Sequence, residues 1–124
     1  MSGVGTIGAV VLDCPDPWAL GRFWSEVVGL GVAEDSTDGW VDLVPGPGGW
    51  QLSFQRVKDY QPPTWPKGIP QQAHIDVSVA DLAAAEEAVL SLGATTLSAP
   101  KGSKAKPWRV YADPAGHPFC LCTC

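Results

Sequence analysis

The apolar positions change period several times along the chain, and the changes mark out elements. Residues 4–12 (VGTIGAVVL) are small and β-branched and predict a strand. Asp16-Pro17 then reads as an N-cap followed by proline in the first helical turn. Leu20, Phe23, Trp24, Val27 and Val28 follow at helical spacing with Gly29 as the stop, which predicts a helix with one apolar stripe. Short strands are predicted at about 30–34, 40–44 and 50–57. Asp38-Gly39 and the run Pro45-Gly46-Pro47-Gly48-Gly49 separate them as turns. Residues 58–71 hold Pro62, Pro63, Pro66 and Pro70 and predict an extended linker. The pattern then restarts. Residues 73–79 (AHIDVSV) predict a strand, Asp81 caps a helix from Leu82 to Leu92, and Gly93 ends it. Strands are predicted at 94–98, 106–112 and 117–123, with Asp113-Pro114-Ala115-Gly116 as a tight turn between the last two.

The order is βαβββ, linker, βαβββ. The two helix caps, Asp16 and Asp81, register the halves at a constant offset, so the chain reads as an internal duplication. Module one is expected over 4–57, the linker over 58–71 and module two over 72–124, together one α+β domain. With 124 residues, one domain is the natural count and a core of ordinary size fits.

Composition narrows the function classes. The net charge is −5, from 8 basic and 13 acidic residues. That speaks against nucleic acid, which wants a basic face, and against an anionic membrane surface. No apolar run approaches the length of a membrane span, and the first residues lack the basic-then-apolar order of a signal peptide, so a cytoplasmic protein is expected. The four cysteines, Cys14, Cys120, Cys122 and Cys124, do not form a disulfide framework, and reduced thiols are expected. No glycine-rich phosphate loop joins a strand to a helix, and Lys101–Lys106 reads as a solvated hairpin loop rather than an anion site.

Strand alternation lists the faces of the sheets. His74 and Asp76 share a face, and by register so do Ala9, Val11 and Asp13. Gln51, Ser53 and Gln55 form a set, as do Cys120 and Cys122. The opposite face, Val10, Leu12, Leu52, Phe54, Ile75, Val77, Phe119 and Leu121, is uniformly apolar and is expected to pack on the helices. The mixed face carries imidazole, carboxylate, amide, hydroxyl and thiol groups, a set that suits a pocket for a small polar organic molecule. His74 is the candidate acid or base, with Asp13 or Asp76 as its carboxylate; the alternative is a purely structural His–Asp pair. Gln51, Ser53, Gln55, Cys120 and Cys122 are candidate ligand contacts. Among the six tryptophans, Trp65 in the linker has no stripe to bury it, and Tyr60, Trp65 and Trp108 are candidates for the pocket mouth. His117 is accounted for by its turn position.

Three segments resemble the vicinal-oxygen-chelate superfamily, the glyoxalase, bleomycin-resistance and extradiol-dioxygenase group. They are Leu12-Asp13-Cys14-Pro15-Asp16-Pro17 before Phe23-Trp24; Ala73-His74-Ile75-Asp76-Val77 before Asp81-Leu82; and Tyr111-Ala112-Asp113-Pro114-Ala115-Gly116-His117. The resemblance covers essentially the whole chain. It implies two βαβββ modules forming an open U-shaped barrel with helices outside, and a homodimer. It also implies, in metal-dependent members, a divalent ion held by His or Glu from the first and last strands of each module. Carried over, those four positions are Ala9, Ser53, His74 and Cys120. Only His74 and Cys120 are credible ligands, with a group such as Cys122 as a third for zinc. No cofactor is therefore expected, and zinc is the one metal the set would suit. The expected function is binding of a small polar or aromatic molecule in the cavity without the family's metal. The alternative is a lyase, isomerase or dioxygenase of the superfamily acting through His74, with or without a degenerate metal site.

Overall fold

In the computed structural model, residues 3–123 are described. They fall into two compact units, one ending at Tyr60 and the other beginning at Gln61.

The first unit opens with β1 (Ala9–Cys14), which leads into α1 (Pro17–Val28). The Asp16 carboxylate accepts hydrogen bonds from the backbone N–H of Trp18 and Ala19 at 3.1 and 3.3 Å, satisfying donors the first helical turn cannot. At the far end Gly29 takes a left-handed conformation (φ 70°) and donates its N–H to Ser25, which stops the helix where the sequence predicts. Strands β2 (Trp40–Asp42) and β3 (Gln51–Arg56) complete an open sheet of order β1-β3-β2. The expected strand at 30–34 reduces to a single bridge, Val32 with Leu43, flanked by the hydrogen bonds Ala33 N–H to Asp42 and Val44 N–H to Gly31.

The apolar stripe of α1 closes over this sheet. Leu20, Phe23, Trp24, Val41, Leu43, Leu52 and Phe54 are buried, and Phe23 meets Trp24 edge-on at 5.5 Å. Helix and sheet approach so closely at Gly21 that a Cβ there would lie 2.9 Å from Val41 Cγ1, so a larger residue would force the Val41 side chain, or the elements themselves, to shift.

The second unit repeats the plan. Strand β4 (Ile75–Ser78) leads to α2 (Leu82–Ser91), whose N-cap Asp81 accepts from the Ala84 N–H at 3.2 Å. Then come β5 (Thr95–Thr96), β6 (Lys101–Gly102), β7 (Pro107–Ala112) and β8 (Pro118–Cys122). The sheet runs β4-β8-β7-β5, and β6 pairs with β7. Lys101 and Gly102 therefore form a strand where the sequence predicts a solvated loop. Two residues are too few to show a period, and the pairing comes from the partner strand.

The duplication holds at the level of register. In the first sheet β1 and β3 run parallel with Val11 opposite Ser53; in the second, β4 and β8 run parallel with Asp76 opposite Cys120. Val11 and Asp76 are the same step from their caps Asp16 and Asp81, so Ser53 and Cys120 are equivalent positions.

The segment between the last strand of the first unit and β4 carries no regular structure, and part of it is folded rather than extended. The Thr64 N–H donates to Ile69, the Thr64 hydroxyl donates to Lys67, and the Ile69 N–H donates back to Thr64 Oγ1, at 2.7, 2.6 and 2.8 Å. These bonds close a loop over 64–69 that carries Trp65.

In the second unit Tyr111 stacks on Phe119 at 5.7 Å, and Leu121 and Val89 are buried as well. Tyr111 is fully buried. Burial, and after it the neighbouring Glu86 carboxylate, push its phenol up to about 12 against the opposing pull of Arg109. Arg109 and Glu86 form an ion pair at 2.5 Å. Because the folded state holds the phenol proton more tightly, the stability this gives is complete below the ordinary value of 10 and is lost as pH rises toward about 12. The expected loss across that interval is about 2–3 kcal/mol. Tyr111→Phe should remove this alkaline loss in urea-unfolding midpoints measured across the same interval.

Candidate functional site

The polar face of the second sheet gathers one cluster. Asp76 sits across the β4–β8 ladder from Cys120, and His74, two residues before Asp76, falls on the same side. On the other flank of β8, Val110 pairs with Cys120 and Trp108 with Cys122, bringing both β7 side chains to this face. Phe119 and Leu121 occupy the alternate positions on β8, as the alternation predicts, and both are buried, as is Tyr111, the register partner of Phe119.

His74 Nε2 lies 3.1 Å from Asp76 Oδ1, with both side chains about half exposed. Of the two carboxylates weighed for His74, the structure pairs it with Asp76. Cys120 is partly buried, and its thiol is pushed up to about 11, first by burial and then by the Asp76 carboxylate, to which it donates a hydrogen bond. A thiol held this way is a protonated donor at neutral pH and a poor nucleophile.

Two adjoining depressions open on this face. One, of about 240 Å³, is lined by Trp65, Gln71, His74, Trp108, Cys120 and the Pro118 end of β8. The other, of about 330 Å³, is lined by His74, Asp76, Trp108, Cys120 and Cys122. His74, Trp108 and Cys120 are common to both. Gln71 Oε1 is buried at the first depression with no hydrogen-bond partner among the described residues. A buried acceptor in that state costs stability until a donor reaches it, and a bound molecule can supply one.

Of the sequence-derived candidates, His74, Asp76, Trp65, Trp108, Cys120 and Cys122 meet here. The remaining ones belong to the first unit and have local roles there. Gln55 donates to Asp13 at 3.3 Å, Gln51 donates to the Leu43 carbonyl at 3.1 Å, and Ser53 donates to Asp42 at 2.5 Å. Asp42 also receives the Trp40 indole N–H at 2.7 Å. Tyr60 ends that unit and is part-buried. Gln71 escapes sequence reasoning because it lies in the proline-rich segment, where no periodicity assigns a face. The expectation of reduced thiols also needs correction: Cys122 is disulfide-bonded, while Cys14 and Cys120 are free, and Cys124 lies outside the described residues.

Residues 9–122 match the family described as a glyoxalase-like domain. The chain belongs to that family. Several solved structures share its fold. One is a glyoxalase/bleomycin resistance protein/dioxygenase family enzyme from Burkholderia phytofirmans PsJN, 18% identical, with a TM-score of 0.72 over 95% of this chain and 98% of that one. A second is a glyoxalase-related enzyme from Fulvimarina pelagi, 16% identical, with a TM-score of 0.71 over 96% and 88% of the two chains. A third is the oxidase ChaP-H2, 15% identical, with a TM-score of 0.69 over 98% and 95%. No curated protein matches the sequence.

In metal-dependent members of the superfamily the ligand positions carry over to Ala9, Ser53, His74 and Cys120, and the first unit does not fit that role. Ala9 has no donor atom, and Ser53 is fully buried with its hydroxyl committed to Asp42. A hard ion wanting oxygen ligands from both modules finds none at these two positions. Among the described residues no helix is long and apolar enough to cross a membrane.

Proposed function

We propose that this glyoxalase-like protein binds a small polar or aromatic molecule on the face between Trp65 and Trp108, without the four-position metal centre of its relatives. The observation that carries this reading is the composition of the site. Two indoles and an unpartnered buried acceptor, Gln71 Oε1, border a floor of His74 and Cys120. Aromatic walls supply most of the apolar area, and a few polar atoms fix orientation, which is the usual make-up of a small-molecule pocket. The net charge of −5, with Asp76 at the second depression, favours neutral or cationic compounds over anions.

A screen of cationic and aromatic compounds by tryptophan fluorescence tests the proposal. Trp65→Ala and Trp108→Ala should each weaken a hit by about tenfold, the loss of roughly 1.4 kcal/mol expected when an aromatic wall is removed. If both variants bind as tightly as the parent, the site is elsewhere.

The second reading, a lyase, isomerase or dioxygenase acting through His74, is favoured by the 3.1 Å His74–Asp76 pair, which orients the imidazole as a general base requires. The two readings separate on one variant. An enzyme loses turnover in His74→Ala while keeping affinity for the same compound; a binder has no turnover to lose. The homodimer implied by the family is part of the same proposal, and sedimentation equilibrium should return twice the mass of one chain.

A further inference from the structure

We propose that the pocket selects a small amidine or guanidine, a planar cation that presents several N–H donors along one edge, and that Gln71 is the residue that reads those donors. The inference rests on the pocket proposed above and narrows what enters it. Among the described residues lining the two depressions none is a lysine or an arginine, while Asp76 brings a carboxylate. The floor also turns its own donors inward. A carboxylate only accepts, so the 3.1 Å approach of His74 Nε2 to Asp76 Oδ1 is a donation by the imidazole, and the Cys120 thiol donates to the same carboxylate.

Acceptors are what this leaves. A neutral imidazole that carries its hydrogen on Nε2 keeps a lone pair on Nδ1. Gln71 Oε1 is a second acceptor, buried at the first depression with no hydrogen-bond partner among the described residues. A donor that reaches it relieves a cost the free protein already carries. An ammonium group is a compact, strongly hydrated point charge, whereas amidinium and guanidinium groups are planar and more weakly hydrated. Their edges donate in fixed directions, and their faces rest against indoles, the aromatic surface that attracts cations best. Trp65 and Trp108 border the depression that holds Gln71. Its volume of about 240 Å³ lies below the ~300–1,000 Å³ of pockets for drug-sized molecules, which suits a compound of one ring.

The test titrates benzamidine, benzylamine, benzamide and benzoate into the full chain by isothermal titration calorimetry. Benzamidine, benzamide and benzoate are close in shape and differ in charge and in the donors they carry; benzylamine keeps the charge without the planar head. Benzamidine should bind at least tenfold tighter than benzylamine or benzamide, with benzoate weakest. Gln71→Met, which removes the acceptor at similar size, should weaken benzamidine by about tenfold. Gln71→Glu keeps an acceptor at that position and should bind benzamidine as tightly as the parent or tighter. Circular dichroism of each variant confirms that it is folded. Benzamide or benzylamine binding as tightly as benzamidine, benzamidine affinity unchanged in Gln71→Met, or a tenfold loss in Gln71→Glu would each overturn the proposal. If benzamidine does not bind while a compound from the aromatic screen does, and that compound loses affinity in Trp65→Ala, the pocket stands and its choice of donor-bearing cations is overturned. If no compound depends on Trp65 or Trp108, the pocket falls and this inference falls with it.

Discussion

Trp24→Ala is expected to lower stability by about 3–5 kcal/mol, the usual range for emptying a buried aromatic site. Trp24 is 1% exposed on α1 and meets Phe23 edge-on. The space it leaves is hard to refill. Helix and sheet are already in close approach at Gly21, 2.9 Å from Val41 Cγ1 for a Cβ, so the helix cannot settle further onto the sheet. Small domains have about 5–15 kcal/mol in total, so the loss takes a large share. Urea unfolding followed by far-ultraviolet circular dichroism measures it as a fall in midpoint at unchanged slope. A loss under about 1 kcal/mol would mean that α1 is not the cover of this sheet.

Gly68→Ala is expected to reduce ligand binding far more than stability. Gly68 has φ +106°, where an L side chain is strained, and a Cβ would lie 2.1 Å from Thr64 Oγ1. Thr64 cannot turn away without losing two bonds, its donation to Lys67 and its acceptance from the Ile69 N–H. The loop must therefore open, and Trp65 loses its place at the first depression. Strained positions of this kind cost about 1–3 kcal/mol, which converts to a loss of roughly tenfold to a hundredfold in affinity if it falls on the bound state. Residues 66–70 of the loop are exposed and outside any regular element, so the unfolding midpoint should move little. Fluorescence titration beside urea unfolding separates the two quantities. Equal affinity in Gly68→Ala and the parent would show that Trp65 takes no part in binding.

The legible parts of the fold are those set by local chemistry. Asp16 and Asp81 mark both helix starts because a carboxylate before an apolar stripe has a definite task, accepting from the first turn. Alternation puts His74, Asp76, Cys120 and Cys122 on one face and Phe119 and Leu121 on the other, since period-two geometry follows from the chain alone; that Asp76 stands opposite Cys120 is set by strand pairing. What pairing decides was not legible. Val4 and Ile7 look like strand residues, but β1 begins only at Ala9, and both side chains stay exposed. Residues 30–34 have strand composition yet form one bridge at Val32, and Lys101–Gly102 is a strand with no strand composition.

The same division applies to the site. His74, Asp76 and Cys120 are recoverable from strand face, whereas Trp108 is a candidate only as an aromatic and its place on this face comes from pairing with Cys122. Ser53 occupies the position equivalent to Cys120, yet its hydroxyl turns to Asp42, a choice set by a neighbouring strand that no offset reveals. Gln71 and the loop that positions Trp65 depend on hydrogen bonds inside a segment whose prolines suggest only extension.

Everything proposed for the site depends on a small molecule binding between Trp65 and Trp108 on the second sheet. The most direct measurement is a heteronuclear NMR titration of the six tryptophan indole N–H signals, assigned by single substitution, with a hit from the fluorescence screen. Saturable shifts are expected at the Trp65 and Trp108 indoles, with Trp18, Trp24, Trp40 and Trp50 unmoved. Shifts confined to those four, with Trp65 and Trp108 unchanged at saturation, would contradict it.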